Sequence, residues 1–279
     1  MKRVKFYKMH GIGNDYIYFD CIKENLQIEK LATRLSDRHF GIGGDGIILL
    51  CPSEVADIKM RMFNADGSEG SMCGNGIRCL AKLAHDLGYI KGDTCAVQTP
   101  SGIKKLQFFF DESRAVSSIR VDMGAPVLSG KEIPSLLTGE KIVGMPVEID
   151  GAEYKITLVN MGNPHCVIFT DPDTVDITLG RKLEESPLFP DRVNTEFVCV
   201  TGANTLKMRV WERGSGQTLA CGTGACAVAV ASVLNGFCDK DKPIEVSLAG
   251  GKLKIEYSDT VYMTGSATYI YTGEIEIQG

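Results

Sequence analysis

Apolar and polar positions along the chain change period many times, and most changes mark short strands. Residues 46–50, 58–63, 104–110, 118–123, 153–159, 166–169, 197–200, 206–211, 244–248, 252–257 and 261–264 alternate or are β-branched, with Gly, Asp and Pro turns between them. Two segments have helical character instead, 77–87 ending at Gly88 and 225–234 ending at Asn235-Gly236. Both stop with glycine, as helix C-termini favour. The first is amphipathic. The second is apolar or small nearly all round, so it should be buried on every side, as a helix wrapped by sheet would be. Strands and helices do not alternate regularly, which disfavours a doubly wound parallel sheet and favours α+β architecture.

Three segments recur in the same order at nearly one offset. Gly13-Asn14-Asp15 matches Gly162-Asn163-Pro164, Asp66-Gly67-Ser68 matches Arg213-Gly214-Ser215, and Cys73-Gly74-Asn75-Gly76 matches Cys221-Gly222-Thr223-Gly224. Agreement in order and spacing points to duplication. The expected fold is therefore α+β, with two pseudo-symmetric halves. Each is a mixed, mostly antiparallel sheet wrapped around a central helix, and the active site lies at their interface. The halves are expected at 1–120, with a C-terminal strand at 268–279 packing onto it, and at 121–267. Residues 129–144 read as a surface excursion with short helical character.

Composition narrows the function. The 279 residues are 44% hydrophobic, 23% charged and 8% aromatic, and 30 Lys+Arg against 35 Asp+Glu give a formal charge of -5. That is a globular composition with enough length for a substantial core, which excludes disorder and small stapled scaffolds. No basic cluster suits nucleic acid or an anionic membrane surface. The longest largely apolar stretch, 225–234, falls short of the ~18 residues a membrane helix needs. The charged N-terminus lacks a signal-peptide core, so a cytoplasmic location is expected. Ten cysteines are scattered without a CxxC pair, which argues against zinc ribbons and thioredoxin-type sites, and no metal is expected.

Cys73 and Cys221 stand apart because each precedes a Gly-x-Gly that opens a helix. A helix start gathers unpaired N–H groups and the positive end of the dipole, so a thiol there is expected to ionise more easily. The glycines let a ligand carboxylate approach those N–H groups closely. One such thiol per half, on opposite sides of one carbon, suits removal of a proton from one face and its return to the other. The expected chemistry is cofactor-free racemisation or epimerisation.

The strings Met9-His-Gly-Ile-Gly-Asn-Asp15, Phe63-Asn-Ala-Asp-Gly-Ser68, Cys73-Gly-Asn-Gly-Ile-Arg-Cys79, Met161-Gly-Asn-Pro-His-Cys166, Arg192-Val-Asn194 and Glu212-Arg-Gly-Ser-Gly-Gln-Thr-Leu-Ala-Cys-Gly-Thr-Gly-Ala225 closely resemble the diaminopimelate epimerase family. The resemblance covers nearly the whole chain. It implies interconversion of LL- and meso-diaminopimelate in lysine and peptidoglycan precursor synthesis by a cytoplasmic homodimer that needs no cofactor. It implies Cys73 and Cys221 as the two bases, with His165 assisting Cys73 and Glu212 assisting Cys221. Backbone amides of Gly74, Asn75, Gly222 and Thr223 would cradle the carboxylate at the reacting centre. Asn14, Asn64, Asn163, Asn194, Glu212 and Arg213 would hold the substrate. Arg213 and asparagines would take the distal carboxylate, with Asn64 and Glu212 near the distal ammonium. One thiol and one thiolate are expected at rest, because two neighbouring thiolates repel.

Departure from the family occurs at Gly46, where many members carry Gln after the Asp of the Gly-rich loop. His10 is expected to make a structural hydrogen bond, His39 and His85 to be ordinary partly exposed residues, and the other eight cysteines to be packing residues. Neither Gly11-x-Gly13 nor Gly41-Ile-Gly-Gly44 completes a nucleotide-binding pattern. Two competing readings are a proline or hydroxyproline racemase of the same fold and a redox switch that uses the two thiols.

Overall fold

The structure is a computed structural model that describes residues 2–24, 26–149 and 151–277; residues 1, 278 and 279 of the expected ranges lie outside the described residues. The chain forms two compact units, one from residues up to Val121 together with those from Gly265 onward, the other from Asp122–Thr264.

The first unit contains β1 (Lys2–Gly11), β2 (Asn14–Asp20), α1 (Ala32–Ser36), β3 (Gly46–Cys51), β4 (Ile58–Asn64), β5 (Glu69–Gly70), α2 (Gly74–Asp86), β6 (Thr94–Thr99), β7 (Gly102–Phe110) and β8 (Val116–Gly124). β1 and β2 form an antiparallel hairpin, β2 runs parallel to β3, β4 is antiparallel to β3 and β5 and parallel to β6, and β7 is antiparallel to β6 and β8.

The second unit contains β9 (Met145–Ile149), β10 (Ala152–Asn160), β11 (Pro164–Phe169), α3 (Leu179–Glu184), β12 (Asn194–Gly202), β13 (Thr205–Glu212), β14 (Gly216–Thr218), α4 (Gly222–Leu234), β15 (Ile244–Leu248), β16 (Gly251–Tyr257) and β17 (Val261–Gly265). Its connections repeat the first set. β10 and β11 form a hairpin, β11 is parallel to β12, β13 is antiparallel to β12 and β14 and parallel to β15, and β16 is antiparallel to β15 and β17. The edge strands match too. β9 pairs with β10, and β18 (Thr268–Ile277) returns to pair with β1 from Lys2↔Ile277 to His10↔Thr268. The fold is α+β with two pseudo-symmetric halves, each a mixed, mostly antiparallel sheet around a helix.

The repeated turns also agree in backbone. Gly13 and Gly162, in the β1–β2 and β10–β11 turns, have φ of +88° and +96°, a region open to glycine without strain. Each central helix ends on a positive-φ glycine, Gly88 or Gly236. In α4 every residue from Gly224 to Ser232 is buried, whereas α2 is buried throughout from Gly74 to Ala81 and then only at Leu83 and Ala84. This difference follows directly from the polar residues, Lys82, His85 and Asp86, that α2 has and α4 lacks. Both helices begin three residues before their apolar pattern does. Their first turns are Gly-Asn-Gly and Gly-Thr-Gly, which carry no hydrophobic signal.

Residues 129–144 correct the sequence expectation. They form turns, bends and one isolated bridge, Ser129 with Lys141, with no helix. Gly130, Pro134, Gly139 and Gly144 break any helical run. The segment is also anchored, since Ile133 and Ile142 belong to the core cluster of the second unit with Leu158, Leu183 and Phe197. Among the described residues no helix is long and apolar enough to cross a membrane.

Gly46 opens β3 against the backbone of β4. A Cβ there would lie 2.2 Å from the Phe63 carbonyl oxygen and 2.9 Å from the Tyr16 ring. A glutamine at this position therefore requires backbone movement. Gly46→Gln is expected to lower the unfolding free energy by about 1–3 kcal/mol, read from urea unfolding, as other overpacked sites do.

Candidate active site

In the first unit Cys73 is the extended residue immediately before α2, and its Sγ accepts the Gly76 N–H at 3.3 Å. Sulfur thus fills the place that a serine or aspartate oxygen usually takes at a helix N-cap. Gly76 allows this close start, because a Cβ there would meet Ile48 Cδ1 at 2.5 Å. Cys73 Sγ lies 3.2 Å from Asn14 Oδ1, to which the thiol donates. The amide is held in that orientation because Asn14 Nδ2 donates to Asp45 Oδ2 at 2.6 Å. Asp45 also accepts the Asp15 N–H at 3.0 Å and Arg38 at 2.9 Å.

Behind this chain lies a buried ion cluster. Lys8 meets Asp15 at 2.5 Å and also donates to the Gly43 carbonyl, and Arg38 meets Asp15 at 2.7 Å. Burial alone would raise the Asp15 carboxyl; Arg38 and Lys8 outweigh it and hold Asp15 below its ordinary value. Tyr16, hydrogen-bonded to Asn14 and Cys73, is pushed up by burial and then by the neighbouring Cys73 and Asp45.

Asn75 is buried, and its Oδ1 accepts from the fully buried Arg78 at 2.9 Å. Arg78 also donates to the Gly74 and Ser266 carbonyls. The Asn75 side-chain oxygen is thereby tied to the scaffold. Asn64, at the end of β4, donates to Ser68 Oγ at 3.0 Å. No contact described in the structure joins it to Cys73.

The second unit repeats the cap. Cys221 is extended immediately before α4, and its Sγ accepts the Gly224 N–H at 3.3 Å, with Thr223 Oγ1 at 3.5 Å. Around that sulfur the side chains differ from those around Cys73. Glu212 hydrogen-bonds Cys221 and accepts from Thr218 Oγ1 at 2.5 Å. Burial raises the Glu212 carboxyl above its ordinary value, against the pull of Thr218, Cys221 and His165.

Fully buried His165 places Nδ1 2.7 Å from Glu196 Oε1 and Nε2 3.0 Å from Asn163 Oδ1. Both ring nitrogens thus meet side-chain oxygens, one of them a carboxylate. Asn194 is buried; its Nδ2 donates to the Pro164 carbonyl at 2.8 Å and its Oδ1 accepts the Arg213 N–H at 3.0 Å. It thus fixes the backbone from which the exposed Arg213 projects, whose Nη1 rests on the Asp191 carbonyl at 2.9 Å.

The expected easier ionisation does not hold for Cys221. Burial, then the charges of Glu212 and Glu196, push its thiol well above the ordinary value, and the Thr223 and Gly224 contacts offset this only in part. A helix start favours an anion only while solvent or cations complete its surroundings; here two carboxylates oppose it. His10 accepts the Gly13 N–H at 3.1 Å, a structural role.

Sequence reasoning missed Glu196 and Tyr16. The one signal for Glu196 was a single acid just inside the apolar run that follows Val193. Buried acids in strands are rare without a partner, so that position invited a search for one.

The family model for diaminopimelate epimerase matches residues 6–129 and 157–270. The chain is 50% identical over 282 residues to the diaminopimelate epimerase of Acetivibrio thermocellus, covering 98% of this chain and 99% of that one. It is 45% identical over 280 residues to the enzyme of Methanococcus maripaludis, covering 98% of this chain and 100% of that one.

The chain belongs to the diaminopimelate epimerase family.

It is accordingly an isomerase of the epimerase type. Among solved structures, the fold is similar to a phenazine biosynthesis protein of the PhzF family from Bacillus anthracis (TM-score 0.72, 16% identity, 99% of this chain and 100% of that one). It is also similar to a hydroxyproline epimerase from Agrobacterium vitis with bound trans-4-hydroxy-L-proline (TM-score 0.72, 12% identity, 98% of this chain and 92% of that one). At these identities the likeness is one of fold.

Two outcomes are expected from the buried groups of this epimerase. In the folded state Cys221 keeps a proton that the unfolded chain releases above a thiol pKa of about 8.5. Its contribution is intact below that pH and is lost as pH rises, at about 1.4 kcal/mol per pH unit per thiol. Urea unfolding measured from pH 8 to 10 should show a shallower decline for Cys221→Ser than for the unsubstituted chain. Removing Glu196 leaves a buried His165 ring nitrogen without its partner, so Glu196→Ala should cost about 1–3 kcal/mol. Glu196→Gln keeps a hydrogen bond and should cost distinctly less in the same assay.

Proposed function

We propose that this protein interconverts LL- and meso-diaminopimelate by a two-base mechanism in which Cys73 and Cys221 serve opposite faces of the α-carbon. The observation that carries this reading is the matched pair of thiol-capped helix starts, each sulfur 3.3 Å from the N–H three residues on. Each cap would supply one thiol to the reacting centre. The amides of Gly74, Asn75, Gly222 and Thr223 would surround its carboxylate and stabilise charge that grows there as the proton leaves.

The different surroundings of the two sulfurs support different roles. Cys221, flanked by Glu212 and Glu196, is the acid and delivers a proton. Cys73, whose thiol donates to Asn14 Oδ1 and accepts the Gly76 N–H, becomes the base once that proton is lost. In the reverse direction Glu212 takes up the Cys221 proton; its raised carboxyl is matched to that exchange. A zwitterion at the distal end fits Arg213, Glu212 and the amides of Asn14, Asn64, Asn163 and Asn194, which supply charge of both signs. No organic cofactor or metal is required by these steps. A cytoplasmic homodimer is the assembly this reading carries with it.

The proline-type alternative is weaker, because the likeness to the hydroxyproline epimerase is 12% identity whereas the diaminopimelate epimerases reach 50%. Reduced protein incubated with LL-diaminopimelate in heavy water should yield meso product carrying α-deuterium. Cys73→Ser and Cys221→Ser should each lose about 10²–10⁴-fold in kcat, the range for a positioned acid or base. Absence of both exchange and product, with turnover of proline or hydroxyproline instead, would overturn the assignment.

A further inference from the structure

Cys21 and Cys51 form a second thiol pair, wholly within the first unit. Cys51 is the last residue of β3, and Cys21 follows the last residue of β2. The two strands run parallel with Asp20 opposite Leu50, so the next step of the register sets Cys21 beside Cys51. The Cys21 N–H continues the ladder by donating to the Leu50 carbonyl at 2.8 Å. Neighbouring strands lie about 4.8 Å apart, inside the ~4.4–6.8 Å Cα separation that a disulfide spans. Both side chains pack on one core cluster with Phe19, Leu26 and Leu49.

The two thiols are unequal. Cys21 is buried, whereas Cys51 is half-buried and within reach of small solutes. Across the β3–β4 ladder Lys59 faces Cys51, and Arg61 faces Leu49 on the same side. The neighbouring Cys21 thiol, with these cations, lowers the Cys51 thiol against burial and Glu29, while the Cys51 neighbour and burial push Cys21 up. A favoured thiolate beside a protonated second thiol is the arrangement of an attacking and a resolving cysteine.

We infer that Cys21 and Cys51 are a redox-active dithiol, distinct from the capping cysteines, that closes to a disulfide on meeting a small disulfide such as oxidised glutathione. The Cys51 thiolate attacks one sulfur of that disulfide and expels the first glutathione thiolate. Cys21, losing its proton to solvent, then attacks Cys51 Sγ in the mixed disulfide and expels the second. Two protein thiols are oxidised and one small disulfide is reduced to two thiols. The bond would tie together the ends of segment 22–50, which carries the Asp45 that orients Asn14.

The test uses the full chain carrying Cys73→Ser and Cys221→Ser, which removes the two capping thiols. After incubation with oxidised glutathione, remaining thiols are blocked and peptides are mapped without reduction. The expected product is a Cys21–Cys51 linked peptide pair, two hydrogens lighter than its reduced form and separated by dithiothreitol. Adding Cys21→Ser should leave glutathione trapped on Cys51; adding Cys51→Ser should leave Cys21 unmodified. Recovery of both cysteines in blocked form, or a lasting glutathione adduct on Cys51 while Cys21 is present, would overturn the inference. The same map on the unsubstituted chain provides a second reading that does not depend on the serine variants folding.

Discussion

In both units the sulfur of a cysteine accepts the N–H of the glycine three residues ahead, and much of the local structure exists to make that contact possible. A helix needs a cap for its first orphan donors, and a side chain in the N-cap position is held extended just where the first turn begins. Using a thiol for this purpose fixes a nucleophilic or basic atom at the positive end of the dipole without any further scaffold. The arrangement carries a steric demand. At Gly76 a Cβ would strike Ile48, and at Gly224 it would lie 2.7 Å from Glu196 Oε1. The glycines serve packing against the strands as well as ligand access.

Once the cap is fixed, the neighbours decide what the sulfur can do. Cys73 is reached through a chain of polar groups, Arg38 to Asp45 to Asn14, in which each bond orients the next. Burying Lys8 and Asp15 is tolerable only because each compensates the other and Arg38 adds a second cation. The second unit uses the same logic with different residues: Asn194 is spent on the Pro164 carbonyl and the Arg213 amide, so a residue that looks like a substrate ligand in sequence is also part of the frame.

Much of this was legible in the sequence because duplication left its mark in turns. The Gly13 and Gly162 turns, the Gly67 and Gly214 turns and the two Cys-Gly-x-Gly starts require particular backbone conformations, and such requirements survive when side chains diverge. The central helices were visible from their apolar content, though their glycine-rich first turns were not. What stayed hidden was the electrostatics. Burial and like charge act through space, and nothing in the spacing of Glu196, Glu212 and Cys221 along the chain shows that they converge. The helix-start argument consequently gave the wrong sign for Cys221. The helical reading of 129–144 failed for a related reason, since Ile133 and Ile142 have helical content only until the glycines and Pro134 between and around them are weighed.

The contrast between the two caps bears on direction. Matched backbones would give two thiols of equal basicity, and an equal pair has no reason to rest with one proton rather than two or none. Asymmetry in the surroundings removes that degeneracy: around Cys73 lie an amide carbonyl, a phenol and a peptide N–H, and around Cys221 lie two carboxylates in a fully closed setting. A reaction that takes a proton on one face and gives one on the other needs unlike partners at its start. Duplication supplies the matched caps, and the later divergence of a few buried side chains supplies the unlike surroundings of the two sulfurs.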